Sequence, residues 1–413
     1  MSRLPLPVGI TEDDLAAHLD AFSIETPSWG YADTGTRFGK FLQDAAATTI
    51  EEKFADAGHV HRLTGCCPSV AVHVRWDFPF TPEGALAGDV ASLAASARAA
   101  AAAHGVRIGS INPNLFEDQC YKLGSVCNED PDVRRRALDH LLTSVRLGAA
   151  AGSDLLSLWF ADGTNYPGQG HLRRRAAWMR EALARTHAAM PPRMSMLVEY
   201  KPFEPAFYHT DIADWGMAAS FARAAGPRAR VLVDTGHHLP GCNIEHLVAF
   251  LLDEGLLGGF HFNDRKYADD DLTMGSIDPY QLFRIFAEIT SFRRERPAAP
   301  PVAYMIDQSH NIKPKVEAMI QTVATAQEHV LKSLLIDHAA ADRARARGDV
   351  VMAEKAWRDA FAADVRPWLA EYRVRRGLPA DPLRAHRDDG YEARAAAARG
   401  PKKRHAGRPG GYA

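Results

Sequence analysis

The stretch that decides the fold is MSMLVEYK at residues 194–201, a mostly apolar run that stops on Glu199 and carries Lys201 two positions further on. Three later stretches repeat its plan: VLVDTGH at 231–237, GFHFND at 259–264 and VAYMID at 302–307. Each is a short apolar run without polar alternation, the pattern of a strand covered on both faces in a parallel sheet. Each also reaches a group able to hold a cation or a proton: Glu199, Asp234, His261 and Asp307.

Upstream, the same pattern recurs at Phe22–Glu25, Val70–Val74, Val106–Ser110 and Leu155–Phe160. Together with Met194–Glu199, Val231–Asp234, Gly259–Phe262 and Val302–Ile306 these make eight runs. Spacings of roughly 30 to 50 residues leave room for one crossover helix between neighbours. The Ala-rich segment Ala91–Ala103 and the segment Val133–Leu147 have helical composition and period. The expectation is an α/β protein, a (β/α)8 TIM barrel with a C-terminal helical extension, and its chemistry at the strand ends.

Domain limits follow from the same pattern. Residues 1–20 read as a helical lead-in, 21–315 as the barrel carrying a metal site, and 316–393 as a helical extension able to make a subunit contact. Residues 394–413, rich in Gly and Arg, read as a flexible basic tail.

Of the 413 residues, 49 are basic and 51 acidic, for a net charge of -2, which argues against a nucleic-acid or membrane partner held by bulk charge. A hydrophobic share of 46% suits a chain with a large core. Cys66, Cys67, Cys120, Cys127 and Cys242 form no C-x-x-C pair and read as reduced thiols. With no apolar run long enough to span a bilayer, the expected location is the cytoplasm.

Taken singly, a buried Glu, Asp or His is more often a satisfied core residue or a helix cap than a ligand. Four at equivalent ends of consecutive barrel strands are different, because converging carboxylates repel one another unless a cation is present. Oxygen-rich donors with one imidazole suit Mn2+, Mg2+, Co2+ or Zn2+. A second set lies close by, with His237 three residues after Asp234, and Asp269 and Asp271 in the loop NDRKYADDD. Strand alternation sends Lys201 to the face of Glu199. Five carboxylates, Lys201 and two divalent cations balance to zero, which suits a neutral sugar or polyol. His73 and Trp76, after the second strand, and Trp159 on the fourth supply a hydrogen-bonding group and aromatic faces for such a ligand.

At this point the residues resemble a known family. The segments SIETPSWGYADTGTRF, HRLTGCCPSVAVHVRWD, INPNLFEDQCYKLGS, LSLWFADGTNYPGQ, VEYKPFEPAFYHTDIADWG, VLVDTGHHLPG, GGFHFNDRKYADDDL and YMIDQSHNIKPK are similar to the bacterial L-rhamnose isomerases of the xylose isomerase-like superfamily. The likeness runs from about residue 20 to 390. It implies a structural metal held by Glu199, Asp234, His261 and Asp307, and a catalytic metal held by His237, Asp269 and Asp271. It further implies sugar contacts from Lys201, His73, Trp76 and Trp159, and from Phe38 of a neighbouring subunit. Homotetramers using Mn2+ are typical of such enzymes. The implied reaction interconverts L-rhamnose and L-rhamnulose, and related aldoses, by a metal-assisted hydride shift between C1 and C2, with Lys201, Asp307 and His73 as catalytic groups.

Two departures from the common pattern are Arg75, before Trp76, and the run Asn263–Lys266. Both bear on which aldose is preferred. A ketose 3-epimerase on the same barrel, a metal-dependent phosphodiesterase and a non-catalytic sugar-binding protein are the competing readings. The balanced charge disfavours the phosphodiesterase.

Overall fold

The computed structural model describes residues 4–33, 42–81, 84–204, 208–267, 269–310 and 312–401. Eight strands form one sheet in sequence order, all parallel: Thr26–Pro27, Ser69–His73, Arg107–Asn112, Leu155–Leu158, Ser195–Glu199, Ala229–Asp234, Leu257–Phe262 and Ala303–Ile306. The first strand meets the last through a bridge between Glu25 and Met305, with Glu25 N–H donating to Tyr304 O (2.8 Å) and Ile306 N–H to Glu25 O (2.9 Å). That bridge brings the two edges of the sheet together as a barrel. The first strand lies just beyond the predicted run Phe22–Glu25, of which Glu25 alone is bridged, to Met305; the strand is short because Pro27 has no N–H for the ladder and a 3-10 turn, Ser28–Tyr31, follows at once.

Eight helices alternate with these strands on the outside: Ile50–Thr64, Val90–Ala103, Pro131–Ala151, Leu172–Ala189, Trp215–Ala225, Ile244–Asp253, Pro279–Glu295 and Lys315–Leu334. Their starts are written locally. Thr49 and Glu52 form a capping box, and Asp89, Asp130, Asp214, Asn243 and Asp278 each accept a backbone N–H of the first turn. Inside the barrel Leu197, Leu232 and Met305 form a compact apolar layer directly beneath the strand ends. The larger core fills the space between strands and helices.

Three features depart from expectation. A short antiparallel pair, Phe203–Glu204 with Tyr208–His209, follows the fifth strand and lies outside the barrel sheet. The helix Lys315–Leu334, read as the start of the extension, packs on both Pro279–Glu295 and Ile50–Thr64 and so closes the outer ring. The extension therefore begins after it, with helices His338–Ala346, Val350–Ala362, Arg366–Arg375, Pro382–Asp389 and Tyr391–Arg399. The last of these runs into the stretch read as a tail. It is held by Arg399, whose guanidinium pairs with the buried Asp56 at 2.7 Å. The lead-in contains the helix Glu12–Ala21, capped by Thr11 and Asp14. Among the described residues no helix is long and apolar enough to cross a membrane.

Candidate metal centre

Glu199 and Asp234 end their strands, His261 lies one residue from the end of its strand, and Asp307 directly follows the eighth. Parallel strands deliver all four to one rim of the barrel, and a register shift after Val231 places Asp234 opposite His261 on the neighbouring strand. Each offers a ligand atom, and these atoms lie within 4.8 Å of one another. Glu199, Asp234 and His261 are buried and Asp307 is half-buried.

His261 Nδ1 lies 3.2 Å from Glu199 Oε2 and 3.6 Å from Asp307 Oδ2, yet neither buried ring nitrogen makes a hydrogen bond among the described residues. A buried imidazole with both nitrogens idle is costly unless something else binds it. The charge pattern carries the same message. Burial, with Glu199, Asp307 and Asp269 nearby, pushes the Asp234 carboxyl up to about 7. Burial and the surrounding carboxylates also push Asp271 far up and Asp307 up. Burial opposes charge on His261, but Glu199 and Asp307 outweigh it and lift the imidazole to about 9. Too many anions share this space, and a divalent cation fits the donor set.

The second set gathers around His237. Its Nδ1 lies 3.0 Å from the backbone carbonyl of Tyr200, and a carbonyl only accepts, so Nδ1 carries a hydrogen. Nε2 faces Asp269 Oδ1 at 3.3 Å; burial opposes charge on the ring, but Asp234 and Asp269 outweigh it and hold the imidazole well above its usual value. The other Asp269 oxygen accepts from Lys201 Nζ at 2.7 Å, while Oδ1 is buried without a hydrogen bond among the described residues. Asp271 has a left-handed backbone, φ 46°, the one such non-glycine residue among those described. It approaches Asn263 Nδ2 at 3.5 Å. Asp270 turns away and caps its own loop through the N–H groups of Lys266 and Tyr267, both at 2.7 Å.

Asn263 was read only as part of a departure from pattern, yet its amide supports the centre. It donates to both Asp234 oxygens, at 3.1 and 3.2 Å. Gly236 makes room for it, since a Cβ there would stand 2.7 Å from Asn263 Oδ1.

Beside these acidic and imidazole groups stands an aromatic wall. His73 contacts the rings of Trp29, Trp76 and Phe116, and Phe116 in turn contacts Trp159. Lys201 Nζ sits 5.3 Å from the Trp159 ring centre. Burial drives the His73 imidazole down to about 3, so it is neutral, and its Nδ1 has no hydrogen-bond partner among the described residues. The Trp76 indole donates to Glu117 at 2.5 Å. Trp29 and Phe116 escaped the sequence reading. Trp29 had the same signal as Trp76, a tryptophan directly after a strand, hidden by the shortness of that strand.

Arg75 does not enter the centre. Its guanidinium pairs with Asp118 at 3.0 Å and lies over Phe80. Phe38 falls in residues 34–41, outside the described residues. Another ligand-like group, Cys127, Asp162 and Asp211, already has its cation in Arg175, which pairs with Asp211 at 2.7 Å.

Comparison with known proteins agrees with this architecture. Residues 73–293 match the family model described as xylose isomerase-like TIM barrel. A probable sugar isomerase of Rhizobium meliloti (strain 1021) is 37% identical over 396 residues, covering 95% of this chain and 89% of the relative. One of Mesorhizobium japonicum is 36% identical with the same coverage. A xylose isomerase of Thermus thermophilus is 30% identical over 193 residues, covering 42% of this chain and 46% of the relative. Among solved structures, 3-keto-D-glucoside 4-epimerase from E. coli superposes with a TM-score of 0.52 at 12% identity, covering 74% of this chain and 99% of that one, a likeness of fold alone. The chain belongs to the xylose isomerase-like TIM barrel family.

Proposed function

We propose that this protein is a metal-dependent aldose–ketose isomerase of the L-rhamnose isomerase type, interconverting L-rhamnose with L-rhamnulose and acting on related aldoses. The observation that carries the reading is the meeting of Glu199, Asp234, His261 and Asp307 at one rim, with His237, Asp269 and Lys201 beside them. Two relatives named as probable sugar isomerases, alike over nearly the full chain, support it.

The first cation would be held by Glu199, Asp234, His261 and Asp307, and the second by His237, Asp269 and Asp271. Mn2+ is the proposed ion, with Co2+, Mg2+ or Zn2+ as substitutes. Bound there, divalent cations would supply Lewis-acid polarisation of the sugar's oxygens.

The remaining chemistry belongs to the chain. Lys201, clamped by Asp269 and backed by Trp159, presents a fixed positive charge to the negative charge that develops on O1. The ring wall of Trp29, Trp76, Phe116 and Trp159 covers the apolar face of an extended sugar and excludes water. His73, neutral and with Nδ1 unused, hydrogen-bonds a hydroxyl. With Glu199 and Asp307 engaged as ligands rather than as bases, hydrogen passes from C2 to C1 as hydride while the hydroxyl proton on O2 is transferred to O1, so that aldose and ketose balance. A cytoplasmic homotetramer is the proposed state, with Phe38 of a neighbouring subunit meeting the sugar.

The test measures ketose formation from L-rhamnose, L-lyxose, D-allose and D-ribose with Mn2+ and again after chelation. Turnover of L-rhamnose that disappears with the chelator and returns with Mn2+ is expected. Epimerisation of a ketose at C3 without any aldose product would overturn the proposal.

A further inference from the structure

At the end of the barrel opposite the metal centre, where the strands begin, lies a cavity of about 550 Å³. That volume is within the range of small-molecule sites, roughly 300 to 1,000 Å³. Its walls are the starts of the second, third, fourth and eighth strands together with the helices Glu12–Ala21 and Pro279–Glu295. Much of the lining is hydrocarbon, with Phe22 and Phe286 as its largest surfaces.

Into this cavity the chain places a carboxylate. Glu25 is 6% exposed. Its Oε1 accepts from both the backbone N–H (2.9 Å) and the hydroxyl (2.5 Å) of Ser110, so the group is fixed in place. Oε2 has no hydrogen-bond partner among the described residues. The third strand gives way to it, because a Cβ on Gly109 would fall 1.4 Å from Oε2, so any larger residue there would displace the carboxylate. Oε2 therefore faces the open space of the cavity, and the fold does not need a carboxylate here: a smaller residue at position 25 would bridge to Met305 through the same backbone groups.

The other charges around the cavity are accounted for. Arg293 gives its guanidinium to the carbonyls of Ala299 (2.5 Å) and Pro300 (2.6 Å), and Asp154 pairs with Arg193 at 2.9 Å. Burial holds the His18 imidazole below its usual value. Arg107 is the exception. It is exposed, it lines the cavity two residues before Gly109 on the same face of the third strand, and its side chain makes no hydrogen bond or ion pair among the described residues. One fixed anion at depth and one free guanidinium nearer the mouth are thus separated by apolar wall.

We propose that this cavity binds a small zwitterion, an amino acid with a short hydrocarbon spacer, its ammonium on Glu25 and its carboxylate on Arg107. The site is independent of the sugar reaction, although Met305 lines it and stands two residues before Asp307.

The test is calorimetric titration of the full chain, stripped of metal by chelator, with glycine, 4-aminobutanoate and 6-aminohexanoate. Butylamine and butanoate serve as controls carrying one charge each. Saturable one-to-one binding of at least one amino acid in the millimolar range or tighter is expected, with butylamine at least about tenfold weaker. Glu25→Gln, which keeps the size and the Ser110 contact, should lower the affinity at least about tenfold. Arg107→Ala, on the surface and safe for the fold, should make the amino acid no better than butylamine. Failure of all three amino acids to bind wild type, binding unchanged in Arg107→Ala, or displacement by L-rhamnose would each overturn the proposal. None of these outcomes depends on whether the metal centre isomerises sugars.

Discussion

The indole of Trp29 donates its N–H to Oδ1 of Asp307 at 2.8 Å, joining residues 278 positions apart in the chain. That contact pins one oxygen of a proposed ligand and leaves Oδ2 turned toward His261, 3.6 Å away. Groups that orient ligands in this way typically change metal affinity by about 10- to 100-fold when removed. Trp29→Phe keeps an aromatic ring against His73 and Trp76 and removes the donor together with the five-membered half of the indole. It is expected to weaken Mn2+ binding about tenfold, read by titration calorimetry, while circular dichroism stays that of wild type. Unchanged affinity would refute the positioning role.

The relationship also marks where the sequence stopped being legible. The barrel was readable because its eight runs are apolar and regularly spaced, and the four strand-end groups were readable because each terminates such a run. Trp29 follows a strand of only two residues, so no periodic signal located it. Asn263 looked like a change of substrate preference, since only three-dimensional contact reveals that its amide reaches across to Asp234. Arg75 misled in the opposite direction. Adjacent in sequence to Trp76, it sits at the start of a helical turn that sends its side chain to Asp118. The boundary at residue 316 failed because the eighth barrel helix and the extension share one helical composition, and only packing separates them.

Lys201 is the group through which the proposed reaction differs from mere sugar binding. Lys201→Met removes the charge and keeps the length. Loss of a fixed electrostatic partner at a developing oxyanion typically costs about 100- to 1,000-fold in kcat. The variant is expected to fall in that range with Mn2+ stoichiometry intact, measured by steady-state kinetics beside equilibrium dialysis. In wild type, aldose deuterated at C2 should yield ketose with the label retained at C1. Wash-out of the label into solvent would exclude the hydride path.

Asn263 and Asp271 separate the two ligand sets. Asn263→Ala removes the donor to both Asp234 oxygens and is expected to weaken binding at the first site by roughly tenfold or more. Asp271→Gly acts on the second set, and because glycine adopts the left-handed backbone at φ 46° without strain it should not harm the fold. Two cations per chain should fall to one in Asp271→Gly, with turnover abolished and the melting temperature preserved. Retention of two ions, counted by metal analysis after gel filtration, would defeat the assignment of Asp271.

Acid sensitivity follows from three buried histidines. Burial pushes His140 down to about 4, and His73 and His238 down to about 3, from an ordinary 6.5. In the unfolded chain each takes a proton near 6.5, whereas in the folded chain each stays neutral until far lower pH. Their contribution to stability is therefore fully present above about 6.5 and is lost as pH falls from there toward 4 and 3. The metal-free protein should melt at progressively lower temperature over that interval. His140 gives the sharpest check, because its Nε2 accepts the Asn114 N–H at 3.1 Å and protonation there must break that bond. His140→Gln should melt lower than wild type near neutrality, yet show a shallower decline on acidification. A decline as steep as in wild type would mean that other groups set the acid limit.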